Sequence, residues 1–288
     1  MEIKDYELQN LENETKNLIS FVADKFKKEY GKFLSEDKMK IINDFINKKN
    51  VIVMRESSIR KDSPNVNPGP GRYGSGKIIL TPIDYAYSYE KLIENLTSEE
   101  GKKLIKSQNI DEINYRIRHS DIIDIKDYDT YIYQLYNYNI FESVMAIAVH
   151  EMMHSQIELR DFSTKMPIDD KNTSFFGAGI NESMVEYFAR KLCLKYSDEY
   201  EEKYGYKIPL LPSIFYQPGI NVARIYDNQL IDKTLIFNGN INDLLKSSFL
   251  NPELTNATID WEKLYYQRLI SNYKKKEEKE IDKDTKKM

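Results

Sequence analysis

Residues 141–160, FESVMAIAVHEMMHSQIELR, constrain this chain more than any other stretch. From Val144 to Val149 every position is apolar. A helix that is apolar all round is buried all round, so this segment belongs to a core rather than a surface. Into that helix the sequence sets His150-Glu151-Met152-Met153-His154. Histidines four apart share one helix face, one turn from each other. The chain has only three histidines, and two of them fall in this array, which makes a pair of ordinary core histidines the weaker reading. Two imidazoles so placed can close on one Zn²⁺ at about 2.0–2.1 Å each. Glu151 stands beside them, where a carboxylate can take a proton from a metal-activated water.

Two histidines do not complete a catalytic zinc site, which needs a third protein ligand and an open position. The remaining histidine, His119, lies between Arg118 and Asp121 in a loosely alternating stretch. It reads as an exposed or hydrogen-bonded side chain, with an active-site donor as the functional alternative. The single Cys193 excludes an internal disulfide and falls on the apolar face of a predicted helix. A carboxylate is then the economical third ligand. Glu182 follows His154 at the start of that helix, and Glu186 lies one turn further on the same face. One of them can bind metal while the other supports a ligating histidine by hydrogen bonding, and the spacing alone leaves the order open.

The rest of the pattern predicts an α+β chain. Leu8, Leu11, Leu18, Ile19, Val22 and Phe26 recur at helical spacing and predict a helix over 5–30. Ser35 caps a second helix to about residue 47, with Met39, Ile42 and Phe45 inward. VIVM at 51–54 and KIILTP at 77–82 read as strands, and the Pro/Gly-rich segment 63–76 as a loop. Gly71 and Gly76 before Lys77 resemble a phosphate loop, but Ile78 stands where that motif needs Ser or Thr. A helix is expected over 87–106, one or two strands over 113–125, and aromatic packing over 128–138. Residues 161–173 read as a polar linker. Gly177 and Gly179 permit a tight turn, and Asn181 caps the helix that Glu182 begins. A proline-marked crossover at 206–218 and helices over 221–230, 241–250 and 260–273 follow. The charged run 274–288 reads as a solvated, fraying tail. These elements divide into an N-terminal α+β subdomain, 1–160, ending in the motif helix; a helical C-terminal subdomain, 161–273, carrying the third ligand; and the tail.

HEMMH followed by Ile180-Asn181-Glu182-Ser183-Met184-Val185-Glu186 resembles the gluzincin metallopeptidases, which carry H-E-x-x-H and then N-E-x-x-x-[DE] on a second helix. The residues also resemble small bacterial gluzincin-like proteins. The resemblance implies a zincin-like fold, with a small mixed sheet packed on the active-site helix and a mainly helical C-terminal half. It implies one Zn²⁺ held by His150, His154 and Glu182, with Glu186 behind them and Glu151 as general base. It also implies an oxyanion donor from later in the chain, for which Tyr226 and Arg224 are candidates, with His119 behind them.

The expected function is zinc-dependent hydrolysis of peptide bonds, with a peptide or protein as partner. The edge of the 77–81 strand is the expected place for an extended substrate to pair. The alternatives are a non-catalytic, zinc-stabilised binding protein and, among enzymes, a repressor-cleaving protease or a secreted toxin protease. The repressor-cleaving reading is suggested by the likeness of the Glu182 helix to the E-x-x-A-N-x-F-A of cytoplasmic anti-repressor metallopeptidases, from which Glu186 departs; the toxin reading by the anthrax-lethal-factor-like group. The balance of 42 basic to 46 acidic residues argues against a nucleic-acid partner. No stretch approaches the roughly 18 apolar residues of a membrane span. Residues 1–30 lack a signal-peptide core, so a cytoplasmic location is expected, with secretion as the alternative.

Overall fold

The computed structural model describes residues 5–54, 71–81, 140–168, 173–206, 208, 217–229 and 232–285. Two compact units are present, residues 1–155 with 188–217, and residues 156–187 with 218–288. The elements expected over 87–106, 113–125 and 128–138 lie outside the described residues, as do His119 and most of the 206–218 crossover.

In the first unit, helix α1 (Asp5–Tyr30) buries Leu11, Leu18, Ile19, Val22 and Phe26, as its spacing predicts. Helix α2 (Glu36–Ile46) starts at Ser35, whose hydroxyl accepts the Lys38 N–H. Just past its end, Lys48 takes a positive φ of 60°. The Ser20 hydroxyl of α1 donates to the Ile46 carbonyl at 2.7 Å, satisfying an acceptor that the end of α2 leaves open.

Strands β1 (Val51–Val53), β2 (Gly71–Gly74) and β3 (Lys77–Leu80) form a mixed sheet in the order β1-β3-β2. β1 runs parallel to β3 and β2 antiparallel. Part of the expected 63–76 loop is therefore strand. Ser75 (φ 51°) and Gly76 (φ 74°) join β2 to β3. Positive φ at both central residues suits the primed turn that matches strand twist. The motif helix α3 (Ile140–His154) packs against α1, β2 and β3, so the expected small mixed sheet does lie on it. β3 is paired on both sides, which corrects the expectation that its edge is open for an extended peptide.

Helix α4 (Ala178–Lys195) is shared, its first half counted with the second unit and its second half with the first. In the first unit Phe188 meets Tyr30 edge-on at 5.3 Å. Helix α5 (Ser197–Tyr204), which the sequence pattern did not suggest, closes on Gly205 in the left-handed region (φ 85°). Its Tyr200 is fully buried against Phe21 at 5.2 Å.

The second unit opens with an antiparallel pair, β4 (Asp161–Pro167) and β5 (Thr173–Phe176), where a polar linker was expected. Helices α6 (Gln217–Gln229), α7 (Thr234–Asn238), α8 (Ile241–Ser247) and α9 (Pro252–Thr285) follow. Asn240 and Asp243 form a capping box on α8. α9 continues as helix to Thr285, through most of the stretch expected to fray. Gly219 allows α6 a close approach, since a Cβ there would stand 2.0 Å from Ser183 Oγ and 2.3 Å from Trp261 Nε1. No described helix is long and apolar enough to cross a membrane.

Candidate metal centre

From Val144 to His154 no residue of α3 is exposed. Met152 and Met153 are fully buried, which turns His150, Glu151 and His154 to a half-buried side of the helix. The helix stops at His154. The Ser155 N–H and hydroxyl both donate to the Met152 carbonyl, closing the last turn. The two imidazoles stand 4.9 Å apart between ring centroids at 77°, with Nε2 of one 3.2 Å from Nε2 of the other. Two nitrogens bound at about 2.0–2.1 Å to one tetrahedral ion stand about 3.3 Å apart, so the pair already has the separation a shared zinc requires. The same distance also suits one imidazole N–H donating to the other ring.

Glu151 lies beside the sheet. A Cβ built on Gly71 of β2 would come within 3.2 Å of Glu151 Cγ and 2.7 Å of Ile147 Cγ2. Glycine at 71 is what lets the strand reach the helix there.

Glu182 is half-buried on α4. Ligand atoms of His150, His154 and Glu182 all lie within 4.8 Å of one another. Two imidazoles and a carboxylate are also the right donor chemistry for a catalytic zinc. Glu186, one turn beyond Glu182, is buried. Asn181 does not cap the helix, which begins three residues earlier at Ala178. It is fully buried inside the first turns, and its side-chain oxygen accepts the Leu159 N–H at 2.8 Å.

Two further side chains share the surroundings of Glu182. The Arg160 guanidinium bonds Glu158 at 2.6 and 2.5 Å, and this pairing, reinforced by the charges of Glu182 and Tyr265, holds it above its ordinary value. Burial pushes the Tyr265 phenol above its ordinary value, and the carboxylates of Glu182 and Glu262 add to the shift. Neither residue stood out in the sequence, because an arginine after a helix and one tyrosine among 22 carry no motif.

Tyr226 is placed differently from what the resemblance implies. It is 1% exposed, and its hydroxyl sits 3.1 Å from Thr258 Oγ1 and 3.3 Å from Ser248 Oγ inside the helical core of the second unit. That is the arrangement of a packing tyrosine, not of a phenol facing a substrate. Arg224, on the same helix, is exposed.

No protein-family model matches this chain, and neither does any curated protein or solved structure.

Proposed function

We propose that this protein is a zinc-dependent metallopeptidase of zincin-like fold, with His150, His154 and Glu182 as the metal ligands. The observation that carries the reading is the grouping of those three ligands with Glu151 next to the first of them. Three protein donors suit a catalytic zinc, which keeps a position open, whereas a structural zinc normally takes four, and among the described residues the group has three. A bound zinc supplies Lewis acidity toward a scissile carbonyl and an attacking water.

This chain's residues do the rest. Glu151 accepts the proton of the attacking water and passes it to the leaving amine, a transfer worth about 10²–10⁴-fold in rate. Glu186, one turn from Glu182, supports a ligand from behind. An extended substrate pairs along β2, whose outer side has no strand partner among the described residues and which runs past Glu151 at Gly71.

Purified protein should contain about one zinc per chain and cleave members of a generic peptide library, with cleavage stopped by a chelator. Glu151→Gln should keep the metal and lose cleavage. A Glu151→Gln protein that cleaves at the parental rate overturns the mechanism. Glu182→Ala should weaken zinc far more than Glu186→Ala, and the opposite order exchanges their roles.

A further inference from the structure

We infer that Glu262 is a positioning residue for the third metal ligand, acting through the first turn of α4. The inference rests on the site reading above. The first N–H groups of any helix lack partners within it, and a side chain just before the helix normally supplies one. Here that position is Gly177, and the fold requires glycine there. Its φ is +92°, and a Cβ would stand 2.6 Å from the Leu159 carbonyl oxygen and 2.8 Å from Ile241 Cβ. A local cap is therefore sterically excluded.

The cap comes from α9 instead. Glu262 Oε2 accepts the N–H groups of Gly177 at 3.1 Å and Gly179 at 3.3 Å, and Oε1 accepts the N–H of Ile180. Glu262 is only 3% exposed. A carboxylate at a helix N-terminus also meets the positive end of the helix dipole. Its ring-bearing neighbour one turn on, Tyr265, packs over Gly179, where a Cβ would stand 2.8 Å from Tyr265 Cβ. Gly179 and Glu182 are three apart and so lie on one face of α4.

The geometry ties the ligand to this clamp. Ile180 is two residues before Glu182, and Asn181 between them is anchored to Leu159. A metal site accepts ligand distances within about 0.2 Å. Without the Glu262 carboxylate, three buried N–H groups lose their acceptor. The turn then unwinds or admits water, and the Glu182 carboxylate moves with it. The intact clamp holds Glu182 in place before any metal arrives, so binding does not have to order it.

The test is Zn²⁺ affinity, measured on the full chain by competition with a chromophoric chelator. The proteins are the parent, Glu262→Gln, Glu262→Ala and Thr258→Val. Thr258 lies one turn before Glu262 on α9 and, among the described residues, its hydroxyl bonds Leu254 and Tyr226, so Thr258→Val is a stability control. Glu262→Gln keeps the volume and one accepting oxygen and carries the test should Glu262→Ala not fold. Both Glu262 variants should bind Zn²⁺ at least tenfold more weakly. Thr258→Val should bind normally despite a lowered melting temperature. With Co²⁺ as the probe, Glu262→Gln should shift the visible absorption bands relative to the parent. Folded Glu262 variants with parental affinity and bands overturn the inference, as does an equal loss in Thr258→Val. A parent that takes up no Zn²⁺ overturns the site reading itself, a separate result.

Discussion

Replacing Gly71 by Ala measures how closely β2 is pressed onto α3. The new Cβ would stand 2.7 Å from Ile147 Cγ2, 3.1 Å from Leu80 Cδ2 and 3.2 Å from Glu151 Cγ. Carbon atoms rest at about 3.5–4.0 Å, so the first contact is short by about an ångström. Ile147 Cγ2 is a β-branch methyl, and its rotamer is nearly fixed in a helix, so the strand has to lift. Overpacking of this kind costs about 1–3 kcal/mol. Alanine also narrows the unfolded ensemble, which favours folding by about 0.4–1 kcal/mol. The clash wins, leaving about 1–2 kcal/mol of destabilisation and a melting temperature lower by about 2 °C or more. Ile147→Ala removes the obstructing methyl. Being half-buried, Ile147 should lose less on truncation than the about 2–5 kcal/mol of a fully buried isoleucine. The assay is urea unfolding followed by circular dichroism on the parent, both single variants and the double variant. The double should lose less than the sum of the singles by about 1 kcal/mol. Additivity within about 0.5 kcal/mol, or a Gly71→Ala protein as stable as the parent, refutes the packing argument.

Three further outcomes follow from the geometry. Tyr226→Phe should lower stability by about 1–2 kcal/mol, because it removes the hydroxyl bonded to Ser248 and Thr258, and should leave the proposed peptide cleavage unchanged; lost cleavage at full stability would return Tyr226 to the proposed reaction. Asp161 is held down to about 2 from 3.8, chiefly by the Ser163 hydroxyl and then by Thr164. A depressed carboxylate adds stability above its unfolded value that is lost as pH falls, here between about 3.8 and 2. Melting curves across that window should therefore be flatter for Asp161→Ala, and equal steepness would remove Asp161 from the account. Gly219→Ala should destabilise by about 3 kcal/mol or more, since Trp261 Cε2 is also only 2.5 Å from the new atom and the indole is rigid. Parental melting would show that α6 is not held against Ser183 and Trp261.

Local signals were legible where they were also complete. The apolar run before His150, the periodicity of α1 and the Ser35 cap each contain their own cause, and each element formed where expected. The β4–β5 pair is hidden in a polar stretch: Phe162, Ser163, Thr164 and Lys165 are all exposed, so the strand shows no alternation between a buried and a wet face. Asn181 has the residue type of a cap, but its side chain serves Leu159, and the cap role passes to Glu262, 85 residues from Gly177. No window of sequence contains such a pair. Tyr226 shows the limit of carrying a role by resemblance, since with 22 tyrosines the type alone does not choose among them. The grouping of His150, His154 and Glu182 was approachable because histidine is scarce here and the carboxylates sit at helical spacing.

No residue of α3 is fully exposed between Val144 and His154, and this limits how the chain can drift. A surface helix can exchange half its residues and keep its position. Here a change at Met145 or Ala148 disturbs packed neighbours and so bears on the imidazoles as well as on the fold. In a saturation-mutagenesis map these positions should tolerate almost nothing, including those that never touch a substrate. Any retuning of this protein by natural variation would have to enter through the surrounding elements.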